Sequence, residues 1–540
     1  MKKSRLLLLP FLATVTLSLT ACGDSSSQSK GAKTQSLNWM QNANLITLDP
    51  SKCVDIISST TLNNVDRGLF FSPSSNKYEY GVAKSMKVSK DGKTYTFDLR
   101  KSKWSNGDPV TAADFVYGFQ RTVNPKTASQ DSYLMDHLLN YKEVSTGKLS
   151  PDKLGVSAPN KYTFVVKLSS PQSYFKSLLT NSAFLPQDKK VAVKYGNKYG
   201  TSSSTQVYNG PFTVTGWTGT NDFWTLAKNK NYYDASTVRL NKVNMKVVKD
   251  QQTGLNEYQT GSLDELSLSG KQQVKNFKGS KELHTYKTMY SNYLELNEQK
   301  DPEFKNLKLR EALSLAINRK DYVTDVLGDG SNPTKGFVAD GLANYKGKDY
   351  AESSYVKGTA EYNLDKAKKL WKEGLKEVGK KSLNLTLTYD DTDVAKATTE
   401  YLQSEFQKLP GLKVSNVNLP RQQRISRLFS GNFDLVVTGW DPGYADPISA
   451  LSIRTSNSSI NFSKWQNAEF DNYINKSNTV DANNQSKRWD DLVKAGKLVN
   501  KELGAVPFYQ TSNPVALKNN VKGVKFNPFG SWDFSHGYVK

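Results

Sequence analysis

Hydrophobic and polar positions alternate cleanly in two stretches of the first third of the chain. Tyr95, Phe97 and Leu99 interleave with Thr94, Thr96 and Asp98, and Tyr162, Phe164, Val166 and Leu168 repeat the pattern. A period of two predicts half-buried strands. Between them Asn106-Gly107-Asp108-Pro109 predicts a turn, and Thr111 to Arg121 a helix with Thr111 as N-cap and Asp114 at its third position. Earlier, Leu37 to Leu48 opens the folded part and Asp49-Pro50 closes that segment as a turn. This region therefore reads as α+β with antiparallel strands.

Further on, Asn209-Gly210-Pro211-Phe212 leads through Val214 and Trp217 to Phe223, Trp224 and Leu226, a predicted hairpin, and Val243, Met245 and Val247 continue as a strand. The period then changes to that of a helix: Leu309, Ala312, Leu313, Ala316 and Ile317 share one face, predicting a helix from Leu307 to Leu327 that ends at Gly328. Next come a helix at Leu364–Leu375, a strand at Leu383–Tyr389, a helix at Val394–Leu402, a strand at Leu412–Val417 and a short helix around Ile425–Phe429. The apolar run Phe433, Leu435, Val436, Val437 completes a β-α-β-α-β order, which predicts parallel pairing. That last run has the pattern of a strand buried on both faces. It breaks at Thr438-Gly439-Trp440 into the turn-rich Asp441 to Pro447, and open α/β sheets place ligands at such carboxyl ends.

Composition sharpens the picture. At 540 residues two or three domains are expected. No apolar run near 20 residues follows the N-terminus, which excludes a polytopic membrane protein. Residues 1–21 read as a signal peptide: Lys2, Lys3 and Arg5 precede an apolar stretch from Leu6 to Leu19. The stretch closes with Leu19-Thr20-Ala21-Cys22, which resembles a bacterial lipobox, so Cys22 is the expected lipidation site; ordinary cleavage beside an incidental Cys is the alternative. Residues 22–36, Ser-rich and without periodicity, read as a tether with a reach of about 20 Å. After processing only Cys53 remains beside the anchor, so no intrachain disulfide is available; Cys53 is either a small buried residue or a reactive thiol. The net charge of +22 would suit nucleic acid in the cytoplasm, but export removes that partner, leaving anionic lipid or cell-wall polymer.

Catalytic chemistry finds no support. The three histidines, His137, His284 and His536, are far apart and lack metal-ligand spacing, and no nucleophile elbow, zinc-protease motif or phosphate-binding loop is present. Asp390, Asp391 and Asp393 could form a carboxylate or Ca²⁺ site, or an N-capping turn before the Val394 helix. No metal, cofactor or enzymatic activity is expected. Twenty-eight Tyr and nine Trp fit a protein that encloses a partly apolar ligand.

Five motifs stand together: GDPVTAADFVYGFQRTVNPKTAS from Gly107, NGPFTV from Asn209, NLKLREALSLAINRKDYV from Asn306, GWDPGYADP from Gly439 and VPFYQTSNPVALKNNVKGV from Val506. With these the chain, from about Asn38 to its end, resembles the extracellular oligopeptide-binding proteins of bacterial ABC importers, a large solute-binding family that includes dipeptide, nickel and some sugar receptors. The resemblance implies a two-lobed periplasmic-binding-protein-like α/β fold (type II, large cluster) closing about a hinge. Residues 37–70, 205–288 and 512–540 would form lobe I, 71–204 an extra α+β domain of that lobe, and 289–511 lobe II. It implies a monomeric lipoprotein on the extracellular face of the membrane, passing peptides to permease subunits. Alternatives on the same fold are a peptide sensor or pheromone receptor, an adhesion lipoprotein, or a receptor for a non-peptide solute.

By the same resemblance Gly439, Trp440 and Asp441 would offer one wall to an extended peptide, with Asn42, Ala43 and Asn44 opposite and Tyr133 and Tyr444 nearby. Many members carry an Asp three residues after the Trp, which meets the peptide amine; here that position is Gly443. An amine buried without its carboxylate would cost about 2–5 kcal/mol. Asp441 and Asp446 are the nearest substitutes, although Asp446 before Pro447 also suits a turn. The Arg that some members place three residues before the Trp is Val437.

Overall fold

The computed structural model of the protein describes residues 34–74 and 77–540. The signal peptide, the Cys22 anchor and residues 22–33 of the tether lie outside the described residues. Gln35 and Ser36, expected to end the tether, already belong to the fold. Ser36 opens the strand Ser36–Gln41, and the Gln35 carboxamide bonds both the N–H (3.0 Å) and the carbonyl (2.9 Å) of Val539.

An eleven-stranded mixed sheet carries the architecture. Its first half contains the hairpin Phe212–Thr215/Phe223–Lys228, where the sequence places it, followed by Lys242–Val247, Ser36–Gln41 and Glu265–Ser267, these last three running parallel. Its second half ends in Leu435–Trp440, Leu383–Asp390 and Leu412–Leu419, parallel as the β-α-β-α-β order requires. Every residue from Leu435 to Thr438 is buried, as its apolar run demands.

Between the halves lie two long antiparallel strands, Leu283–Leu296 and Val506–Leu517. Their ladder breaks at the middle: Lys287 pairs with Ser512 and Ser291 with Gln510, so Thr288, Met289 and Tyr290 stand opposite Thr511 alone. Backbone groups released by this bulge must find other partners. Thr288 Oγ1 donates to the Thr511 carbonyl (2.9 Å), Thr511 Oγ1 to the Tyr290 carbonyl (3.0 Å), and Gln510 Nε2 to the Thr288 carbonyl (2.6 Å).

A smaller four-stranded antiparallel sheet holds the two alternating strands of the sequence, Thr94–Leu99 and Thr163–Lys167, and packs on the helix Ala112–Val123. That helix begins with the expected capping box between Thr111 and Asp114. Its Gly118 passes so close to the Leu185 carbonyl that a Cβ would sit 2.6 Å away. Its Arg121 grips both oxygens of Asp49 (2.6 and 2.7 Å). The longest motif of the sequence is thus a packing element.

Three expectations are corrected. The helix Leu307–Leu327 is broken: Leu307–Ala316 stops, Asn318 caps a new turn, and Tyr322–Leu327 is a π-helix closed by Gly328 at φ +58°. The buried Arg319 guanidinium fixes the break by bonding the carbonyls of Ser314 (2.8 Å), Ala360 (2.7 Å) and Pro507 (2.8 Å). At the acidic cluster Thr392, not an aspartate, caps the helix Asp393–Phe406, while Asp390 pairs with Arg424 at 2.6 Å. The third concerns Asp446 and belongs to the site. Cys53 is buried, and burial pushes its thiol up to about 12. Among the described residues no helix is long and apolar enough to cross a membrane, and no cluster of three His, Cys, Asp or Glu could hold a metal ion.

Candidate functional site

A cavity of about 410 Å³ opens at the carboxyl ends of strands from both halves of the sheet. Asn42 follows the strand Ser36–Gln41, Ser267 ends Glu265–Ser267, and Asp441 follows Leu435–Trp440; all three line it. Thr288, Tyr290 and Thr511 of the bulge form its floor, and Phe526, Phe529 and Trp532 give it an aromatic side. The size is that of a pocket able to enclose several ligand groups.

Asp441 is the one charged side chain among these lining residues. Its Oδ1 accepts the Gly443 N–H at 3.3 Å, and no cation pairs with it among the described residues. Solvent reaches the carboxylate through the cavity, yet the surrounding protein holds it above the usual carboxylate range. Gly443 makes this turn with φ +68°, the left-handed region that glycine enters freely. Gly439 also needs its missing side chain, because a Cβ there would collide with the Tyr290 ring. Burial raises the Tyr290 phenol, while Arg424 and Arg421 pull the other way.

Trp440 is half-buried, packs on the core and donates its indole N–H to the Ser449 carbonyl at 2.8 Å. Asp446, carried forward as a substitute amine partner, is corrected: its two oxygens are held by Arg488 at 2.8 Å each, and it caps the Ile448 N–H at 3.0 Å. A carboxylate so fully engaged has no capacity for a ligand cation. Asn44 bonds Asp222 instead of facing the cavity, and Ala43, Gly439 and Trp440 do not line it.

Three further cavities follow the Gly443–Ile448 segment. A narrow one of about 90 Å³ shares Phe529 and Trp532 with the first and reaches Gly443 and Tyr444. It contains Asp66, whose buried carboxyl is pushed up to about 8, and the buried Arg67. A cavity of about 240 Å³ holds Tyr133 and Tyr444, and another of about 580 Å³ holds Ala445 and Asp446. Tyr444 stacks on Tyr174 (5.1 Å, planes 9° apart), and burial, followed by this neighbour, lifts its phenol well above the ordinary value. The Ala445 N–H donates to Ser177 Oγ at 2.9 Å.

Sequence reasoning missed Tyr290, the Thr288/Thr511 pair and the hairpin Lys525–Asn527/Ser531–Asp533. The hairpin had a signal: the aromatic strand formers Phe526 and Trp532 flank Pro528-Phe529-Gly530, whose Pro and Gly are turn residues.

A two-part sheet bridged by two long strands, with a cavity at strand ends from both sides, defines a two-lobed α/β solute-binding fold. A family model described as bacterial extracellular solute-binding proteins, family 5 Middle, matches residues 77–462, and the chain belongs to that family. The chain is 34% identical over 539 residues to the dipeptide-binding protein of Lactococcus lactis subsp. cremoris, covering 97% of this chain and 96% of that one. Listeria monocytogenes OppA bound to peptide superimposes with a TM-score of 0.76 at 34% identity, covering 94% of this chain and 100% of that one. The pheromone receptor PrgZ gives the same identity, coverage and TM-score.

Proposed function

We propose that this protein captures peptides between its two lobes and delivers them to an ABC import permease, as a lipoprotein anchored through Cys22 on the extracellular face. The observation that carries the reading is the 410 Å³ cavity, walled by strand ends from both halves of the sheet and holding one carboxylate without a cation. Its relatives include a dipeptide-binding protein and a receptor seen with bound peptide.

In this reading the peptide backbone adds to the edge at Gly439–Asp441. The ladder between Leu435–Trp440 and Leu383–Asp390 ends at Val436, which favours such pairing. The opposite wall is Asn42. Residues 37–70, 205–288 and 512–540 act as one lobe with 71–204 as its extra domain, and 289–511 as the other. The bulge at Thr288–Tyr290 lies where the chain passes between them and serves as the hinge. A peptide that touches both lobes only when they are closed shifts the population towards closure, and no bond is made or broken in the ligand.

Calorimetry with a defined set of peptides tests the reading. Saturable one-to-one binding is expected. A non-peptide compound retained in native mass spectrometry, with no peptide binding, would overturn it. The likeness to PrgZ favours a second reading, peptide sensing without uptake. Peptide-dependent growth that is lost on deleting the gene decides for transport.

A further inference from the structure

The parallel strands Lys242–Val247 and Ser36–Gln41 start together at one end of the sheet and finish towards the 410 Å³ cavity, which Asn42 lines directly after the second strand. A strand of that length places its start roughly 20 Å from the cavity. Gln35 stands at this starting end. Besides holding Val539 with its carboxamide, it accepts the Asn241 N–H on its own carbonyl at 2.7 Å.

Cations gather around Gln35. Lys242 stands in register with Ser36, and Lys522 opposite Tyr538 in the ladder that closes the body. The Arg239 guanidinium lies 3.5 Å from the centre of the Tyr538 ring. Lys228, whose N–H bonds the Asn241 carbonyl at 2.9 Å, rests its ammonium on the Val238 carbonyl at 2.6 Å. Carbonyls and aromatic faces hold a cation in place while leaving its charge uncompensated. Among the described residues no carboxylate forms an ion pair with any of the four. Pairing is available elsewhere on the same strand, where Lys246 meets Glu257 at 2.7 Å. Arg239, Lys242 and Lys522 are exposed, so this end of the sheet turns an uncompensated basic face to the outside.

Thirteen residues separate Cys22 from Gln35, and a chain of that length spans at most about 45 Å. A lipid on Cys22 therefore keeps Gln35, and the cations around it, within that distance of the bilayer. We infer that this basic face rests on the headgroups of an anionic bilayer, with Arg239, Lys242 and Lys522 meeting lipid phosphates. The inference rests on the lipid-anchored reading and adds to it the side of the body that turns to the membrane. Because the cavity lies at the opposite ends of the same strands, headgroup contact leaves it open to peptide. Each cation held near an anionic surface strengthens the contact about fivefold.

The test uses the processed chain from residue 22 onward carrying Cys22→Ser, so that no acyl chain masks the contact. Its partners are vesicles of phosphatidylglycerol and phosphatidylcholine in equal parts, or of phosphatidylcholine alone. Co-sedimentation is expected only with the anionic vesicles in about 50 mM salt, and is expected to vanish in about 500 mM. The triple variant Arg239→Gln, Lys242→Gln, Lys522→Gln is expected to bind them roughly a hundredfold more weakly. A control with the same loss of charge, Lys366→Gln, Lys368→Gln, Lys372→Gln on the exposed side of the helix Leu364–Glu377, is expected to keep most of the binding. Calorimetry with peptide on the same samples is expected to give unchanged affinity, which reports that both triples are folded. If the first triple loses peptide binding, Lys522→Gln alone replaces it, with an expected loss of about fivefold on vesicles. Equal losses in the two triples overturn the inference, because net charge then suffices. Retention on polyglycerol phosphate with none on vesicles overturns it too, and leaves peptide binding intact. The mass of the protein taken from its host membrane reads lipidation separately; absence of acyl chains on Cys22 overturns the anchored reading on which the inference rests.

Discussion

Arg488 holds Asp446 by two bonds of 2.8 Å with both residues buried, 7% and 8% exposed, and so decides what the acidic end of the GWDPGYADP motif does. Removing one member of a buried pair strands the other charge, at a cost of about 3–5 kcal/mol. Asp446→Asn is therefore expected to destabilise the protein by that amount in urea unfolding, and adding Arg488→Met to recover much of the loss. An Asp446→Asn protein as stable as wild type would return Asp446 to the list of ligand contacts.

Asp441 has the opposite character, a carboxylate in the cavity with no cation beside it. Asp441→Asn is expected to lower affinity for peptides with a free amine by about 10- to 100-fold, and to leave Nα-acetylated peptides unaffected. Calorimetry with matched peptide pairs reads the difference. Equal losses for both forms would show that Asp441 acts on the shape of the cavity and not on the amine.

Gly439 and Tyr290 occupy one space between them. Gly439→Ala is expected to push the phenol into the 410 Å³ cavity, costing about 1–3 kcal/mol of stability and weakening peptide binding. Tyr290→Ala in the same chain is expected to restore the stability. Unfolding midpoints of the two variants, compared with wild type, carry the decision.

Glu265, fully buried in the strand Glu265–Ser267, accepts a bond from Ser267 Oγ at 3.0 Å, and burial pushes its carboxyl up to about 8. An acid whose folded value lies above its unfolded one binds more protons when folded. Its favourable contribution is complete below about pH 4.5 and is lost as pH rises through 8. Glu265→Gln is thus expected to be close to neutral at pH 4 and to stabilise by a few kcal/mol at pH 9. Thermal unfolding at the two pH values checks it; equal shifts at both would remove the titration from the explanation.

Much of the frame was legible where one physical signal dominated. The run Phe433–Val437 reads as a buried strand because each apolar residue meets core on one or the other face, and the Thr111 helix start reads from its capping box. Legibility failed where a distant partner decides. Apolar spacing continues unbroken past Ile317, so nothing local shows that Arg319 will bond Pro507 and split the helix. Asp446 looks like a turn residue until Arg488, 42 positions away, is brought to it. The cavity walls come from segments hundreds of residues apart, so the resemblance pointed to Asp441 and Asn42 but not to Tyr290.

The bonds from Gln35 to both backbone groups of Val539 bring the two ends of the folded body to one point. The last strand, Tyr538–Val539, closes on Val521–Lys522, and the Lys540 N–H bonds the Asn520 carbonyl at 2.8 Å. A group joined to Lys540 therefore leaves the body close to Gln35. A short linker could join the ends and new termini could be opened in a distant surface loop, a circular permutation that leaves the cleft untouched.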